Sequence, residues 1–208
     1  MKRSTILLLA VALAAASSRA VVPSLGVKGG LNASKFTGSA AAGSQTHSDL
    51  VAGVFVGIGL LRGLTVQPEL LYSIKGEENK GTVYGYDAAF VQRFSYIEVP
   101  VLLKYSFGSG IVPSIYAGPA VSVLLSAESE FSYNGTSAAV DLVGYFQSTD
   151  VCLVVGAEIK LPIRLSLEAR YTRGLSSIGK ETTLWGVTYA APDIKNSTIS
   201  LMAGYYFF

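Results

Sequence analysis

The sequence contains one cysteine, one histidine and one tryptophan among its 208 residues. A lone Cys152 cannot close an internal disulfide, so the chain has no cysteine framework of the kind that staples small secreted domains. A lone His47 leaves no histidine cluster for a metal. Charge is also scarce. Only 14% of residues are Asp, Glu, Lys or Arg, against roughly a quarter in soluble proteins. The charges nearly cancel, giving a formal net charge of +2 with no basic stripe, so nucleic acid is not an expected partner. After residue 20 no apolar run reaches the ~20 residues a helical membrane span requires. No cofactor motif is present either. The Gly-x-Gly spacing within 53–63 is followed by another strand pattern, whereas a dinucleotide site needs a helix there.

Half the residues are hydrophobic, and Gly, Tyr and Phe are abundant at 22, 12 and 9. The N-terminus carries Lys2 and Arg3, an apolar run over 6–16 and then "SSRA". That order predicts a signal peptide over 1–20 with cleavage after Ala20, and a single domain over 21–208. An integral membrane protein built from the remainder has to be a closed barrel, because only a helix or a closed sheet satisfies its backbone in hydrocarbon.

Strand-like segments recur at 24–34, 50–61, 64–76, 94–107, 113–125, 150–160, 163–173 and 196–208. In "LTVQPELLYSIKG" one parity carries Leu64, Val66, Pro68, Leu70, Tyr72 and Ile74, and the other Thr65, Gln67, Glu69, Leu71, Ser73 and Lys75. Such alternation marks a strand between two unlike environments. The connections sort by length. Arg62-Gly63, residues 108–112 and Leu161-Pro162 are short, while 35–49, 76–93, 126–149 and 174–195 are long. Short and long connections alternate, as in an eight-stranded antiparallel up-and-down transmembrane β-barrel with short periplasmic turns, long external loops and both termini in the periplasm.

The apolar parity then meets lipid and the polar parity lines the lumen. Tyr72 and Tyr171 fall at the upper ends of the outward face, and Tyr105, Phe107, Tyr205 and Phe207 at the lower ends, as interfacial girdles do. Parity puts Phe207, not Phe208, on the lipid face. Pro68, Pro100 and Pro119 each remove a ladder donor within a strand, so bulges or local gaps are expected there.

The segments "GVKGGLNASKF", "LTVQPELLYSIKG", "YIEVPVLLKYSF", "IYAGPAVSVLL", "GAEIKL", "LSLEARYTRGL" and the final "LMAGYYFF" resemble those of the PorT-like small outer-membrane β-barrel proteins, a porin-type family. The resemblance covers most of the chain after residue 20 and implies export, outer-membrane lipid as surroundings and insertion by the barrel-assembly machinery. It implies no common activity.

Lys28, Glu69, Glu98, Lys104, Glu168 and Arg170 are the candidate site residues, a lumenal charge network, and Glu158 and Arg164 share their parity. Charges in so narrow a lumen need partners, and an eight-stranded barrel is just wide enough for side chains to fill. The expectation is a salt-bridged plug and a non-enzymatic protein with a structural role, or a binding or adhesion role through its external loops. One alternative is a narrow gated channel for small ions or solutes. A more distant one is a lipid-modifying enzyme. His47, Ser48 and Asp49 supply the residue types of a hydrolase, but three consecutive residues rarely converge on one substrate. The loop aromatics Tyr84, Tyr86, Phe131, Tyr133, Tyr145, Phe146, Trp185 and Tyr189 are candidates for an unidentified external ligand, or for packing on one another where strands extend above the membrane. Asn32, Asn134 and Asn196 match the glycosylation pattern, which is expected to be idle in this setting.

Overall fold

The computed structural model describes residues 23–39, 45–83, 86–133, 136–184 and 187–208. The expected signal peptide, together with Tyr84, Trp185 and Asn134, lies outside them. Eight strands form the wall: β1 (Ser24–Thr37), β2 (Gln45–Leu61), β3 (Leu64–Val83), β4 (Tyr86–Ser106), β5 (Val112–Tyr133), β7 (Thr149–Lys160), β8 (Leu165–Gly174) and β11 (Lys195–Tyr206). All neighbours are antiparallel. The order β4-β3-β2-β1-β11-β8-β7-β5 closes through the β4–β5 pairing. Closure leaves no strand edge within the barrel wall. A short strand β6 (Thr136–Asp141) folds back antiparallel on the last residues of β5, and β9 (Thr182–Leu184) pairs with β10 (Val187–Tyr189) in a separate hairpin.

The long connections differ from expectation because strands continue into them. Strands β3 and β4 pair from Leu64↔Tyr105 up to Val83↔Tyr86, so most of the stretch 76–93 is ladder and not loop. Strand β5 likewise runs to Tyr133. Apolar alternation in the sequence ends near residue 76, while the backbone ladder, which does not depend on that alternation, continues. Strand β8, at 10 residues, is half the length of β3, at 20. The β3–β4–β5 side therefore rises well above the opposite wall.

The prolines open the ladder without shifting it. Pairing between β3 and β4 runs to Pro68↔Val101 and resumes at Leu71↔Glu98 in the same register. Between β4 and β5 it runs to Pro100↔Ala120 and resumes at Leu103↔Ala117. Each break lies where a proline has no N–H to donate. The bulges fall elsewhere, between Thr46 and Val51, between Gly59 and Leu61, and between Ser95 and Tyr96.

The two faces separate as the parity predicts. Val27, Leu31, Val54, Leu70, Val99, Val101, Leu103, Ile115, Val121, Leu153, Leu167 and Leu201 are exposed on the outside. Polar and aromatic side chains are buried inside. Tyr72 and Tyr171 anchor their hydroxyls on Ser95 and Ser197 at 3.2 and 3.3 Å. At the opposite rim Tyr105 packs with Phe107 and Tyr205 with Phe207. Phe207 donates its amide to the Leu25 carbonyl at 2.8 Å and ends the pairing, with Phe208 one residue beyond.

Candidate functional site: the filled lumen

Alternate residues on β1, β3, β4, β7 and β8 deliver charged side chains to the short-turn half of the lumen. Lys28 bridges Glu69 at 2.8 Å and Glu168 at 2.6 Å. Arg170 bridges the same two carboxylates, Glu69 at 2.7 Å and Glu168 at 2.6 Å. The Tyr116 hydroxyl donates to Glu168 as well. Below this square, Lys104 donates to Glu158 at 2.6 Å, to the Tyr206 hydroxyl at 2.8 Å and to Gln67 at 3.3 Å. Above it Lys75 pairs with Glu98, which also accepts from Ser122 at 3.0 Å.

The six candidate residues are therefore all inside, but in three groups. Lys28, Glu69, Glu168 and Arg170 form one; Lys104 belongs with Glu158; Glu98 belongs with Lys75. The sequence reading left Lys75 and Glu158 out of the network, though both have inward parity. The partner of Glu98 is Lys75 and none of the other five candidates, because Glu98 stands level with Leu71, two residues above Glu69. Arg164 is corrected outright. It lies in the turn before β8 with φ +66, exposed, and donates to the Phe207 carbonyl at 2.8 Å. Parity stops predicting direction once the backbone leaves the strand.

Each lumenal cation also lies over a ring: Lys28 over Phe55, Lys75 over Tyr96, Lys104 over Tyr206 and Arg170 over Tyr116, at 5.0, 5.4, 5.6 and 5.5 Å from the centroids. Such stacking adds to the ionic attraction when both groups are desolvated. The rings fit because glycine faces them. A Cβ on Gly26 would lie 2.3 Å from the Phe55 ring, and one on Gly156 2.3 Å from the Tyr116 hydroxyl.

Further out the lining carries fewer charges and more neutral polar groups. Asn32 donates to Ser73 at 3.0 Å and accepts from Ser200 at 2.8 Å. Asp150, fully buried, makes no ion pair among the described residues; Asn196 and Ser176 donate to it at 2.8 and 2.9 Å. Tyr96 Oη, Asn196 Oδ1 and Thr198 Oγ1 are buried without a protein partner. Asn32 and Asn196, two of the glycosylation-pattern residues, face this interior. Cys152 is a small buried residue here, 3.4 Å from Asp150 Oδ2.

An apolar layer covers the outer mouth. Phe36, Phe94, Tyr96, Leu124, Ala127 and Ile178 form one buried cluster, with Leu142, Phe146 and Ile194 packed on it. Phe94 meets Phe36 and Phe146 edge-on at 5.1 and 4.7 Å. The segments that bring Phe146, Ile178 and Ile194 inward are tied together: Gln147 N–H donates to the Ile178 carbonyl, and Ile178 N–H to the Ile194 carbonyl, each at 2.8 Å. Phe146 is thus a packing residue, whereas Phe131 and Tyr145 are exposed.

His47 and Asp49 share a face of β2, with His47 Nε2 3.6 Å from Asp49 Oδ1, while Ser48 occupies the opposite parity. Among the described residues no group of His, Cys, Asp and Glu is arranged to hold a metal ion.

A family model described as "Outer membrane protein beta-barrel domain" matches residues 23–179. The chain belongs to that family. It is an outer-membrane β-barrel. Among solved structures, Neisserial surface protein A is 14% identical with a TM-score of 0.46, over 88% of this chain and 97% of that one. Ail, the attachment invasion locus protein of Yersinia pestis, is 13% identical with a TM-score of 0.42, over 88% and 98%. The outer membrane enzyme PagL is 13% identical with a TM-score of 0.36, over 88% and 99%. No curated protein matches the sequence.

Proposed function

We propose that this barrel is a non-conducting, non-enzymatic scaffold that works through its external face, in a binding or adhesion role or a structural one. The observation that carries this reading is closure at two levels, an ionic plug in the short-turn half and an apolar lid at the outer mouth. The raised β3–β4–β5 side supports external binding, since Phe131, Val140, Val143 and Tyr145 are exposed apolar side chains on it or on the segment that follows. The divergent orientation of Ser48 from His47 and Asp49 supports the non-enzymatic part. Within the family we place the chain in the PorT-like branch, on the segments quoted above. Its surroundings are then outer-membrane lipid, it enters with the barrel-assembly machinery after loss of residues 1–20, and its external ligand is unidentified.

Cells displaying the protein should bind an envelope or host surface that cells displaying Phe131→Ser, Tyr145→Ser do not, at equal surface display. An epitope at Gly81 should be labelled on intact cells. Planar bilayers containing the protein should show no reproducible channel; a steady conductance would promote the gated-channel reading instead.

A further inference from the structure

The short-turn mouth holds a recess that none of this uses. It is a cavity of about 420 Å³ whose floor is the Lys104–Glu158–Tyr206 cluster and whose rim includes Lys160, Arg164, Ser24 and Thr65. Of the charges that line it, Lys104 and Glu158 neutralise each other at 2.6 Å. Lys160 and Arg164 have no carboxylate within ion-pair distance among the described residues. The Lys160 ammonium lies 3.8 Å from the Tyr206 ring centroid, a contact that takes up one side of it and leaves the rest of its donors to other partners. Arg164 spends a single N–H on the Phe207 carbonyl. The hydroxyls of Ser24 and Thr65 make no hydrogen bond within the described protein.

The Arg164 backbone fixes where its side chain stands. Its φ of +66 places a long side chain in the left-handed region, at a cost that glycine would avoid. It is the one non-glycine residue at positive φ among the described residues. That conformation closes the short turn between β7 and β8, where the Arg164 N–H donates to the Leu161 carbonyl at 3.2 Å and the Leu161 N–H to the Leu165 carbonyl at 2.7 Å, and it fixes Arg164 at the rim of the recess.

We propose that this recess binds a small anion through a carboxylate or phosphate head, held between Lys160 and Arg164 with hydroxyl donors from Ser24 and Thr65. Two uncompensated cations and neutral donors suit such a head, arginine by its fork and lysine by its point charge. The plug beneath makes the recess a dead end, so it captures its ligand and does not pass it on. It lies at the opposite end from the external face and does not depend on the role proposed for that face.

The test uses the full barrel extracted from its membrane into a non-ionic detergent. Titration calorimetry is run separately with inorganic phosphate, succinate and a short-chain phosphatidylglycerol. The variants are Lys160→Gln, Arg164→Gly and, as a charge control at the far end, Lys35→Ala. Arg164→Gly relieves the backbone and keeps the fold, which heat-dependent electrophoretic mobility checks. We expect one saturable site for at least one probe, weakened about tenfold or more by either recess variant and unchanged by Lys35→Ala. Saturation by phosphate or succinate identifies a soluble anion; saturation by the phospholipid alone identifies a lipid headgroup in the same recess. No saturable binding of any probe, binding that survives both recess variants, or equal loss with Lys35→Ala overturns the proposal.

Discussion

The short-turn half of the lumen is filled with charge and the outer mouth with rings and aliphatic side chains. Both layers close the same bore, yet they are built differently. The ionic layer comes from side chains on the wall strands themselves, where register fixes every position: Lys28, Glu69, Arg170 and Glu168 meet because β1, β3 and β8 hold them facing one centre. The apolar lid draws on Phe36 and Phe94 from the wall, but also on Phe146, Ile178 and Ile194 from segments that return over the mouth. Buried charges tolerate little displacement, since an ion left without its partner costs several kcal/mol. Apolar contacts are non-directional and degrade more gradually. The wall therefore carries all the ions, while the apolar layer is shared between the wall and the segments that return over it.

The largest effect should come from the ionic layer. Arg170→Ala leaves Lys28 as the one cation paired with Glu69 and Glu168 among the described residues, beside the neutral donors Gln67 and Tyr116. Breaking such buried pairing costs about 3–5 kcal/mol, read as a lower urea midpoint for the barrel in lipid vesicles. Conductance should stay absent, because the lid still covers the mouth. A channel opened by this single change would show that the lid does not seal.

A substitution on the outside of the same wall provides the contrast. Val101 is exposed on the lipid side and Leu102 is fully buried in the lumen. Val101→Arg should destabilise by about 2–4 kcal/mol near the bilayer midplane, with the three ionic groups intact. A lipid-attached quencher should reach a fluorophore at 101 and not at 102; the reverse would mean that the register of β4 is off by one.

The lid should respond less. Ile178→Ala removes a fully buried side chain, at about 2 kcal/mol, the low end for such truncations because the returning segments can close in. Ile178 and Arg170 have no common partner here, so the double variant should lose the sum of the two within ~0.5 kcal/mol. Strong non-additivity in urea unfolding would mean that plug and lid are one cooperative unit.

Much of this was legible in the sequence, for a physical reason. Wherever lipid lies on one side and a filled bore on the other, parity alone decides direction, so Glu69, Lys104 and Arg170 could be assigned inward and Leu201 and Val101 outward without coordinates. Legibility stopped where that contrast stops. Past residue 76 β3 and β4 continue as ladder, and no apolar alternation in the sequence marks them. Arg164 kept its parity in sequence but left the strand. Which inward cation meets which carboxylate depends on shear between distant strands: Lys104 and Glu158 are 54 positions apart, and no local pattern encodes that meeting. The lid was the least legible part, because Ile178 and Phe146 lie in irregular segments whose fold-back no periodicity announces.

Glu98 sits at the border between the two layers and gives the finest test of the comparison. It pairs with Lys75 and accepts from Ser122, and Lys75 itself lies against Tyr96, a member of the lid. Glu98→Gln preserves shape and one acceptor, so Lys75 keeps a neutral hydrogen bond and its ring contact. The loss should be about 2 kcal/mol, below that of an emptied buried pair because the Gln oxygen still accepts from Lys75, though Lys75 loses its counter-charge. That is smaller than the effect of Arg170→Ala because no second bridge breaks with it. The urea midpoint should fall modestly and the bilayer current should stay at baseline. Unchanged stability with a new ion current would reject the plug and favour transport. Unchanged values in both would mean that Glu98 already shares its charge with solvent from the outer side, and the boundary between the ionic and apolar layers would then lie one pair deeper, at Glu69 and Arg170.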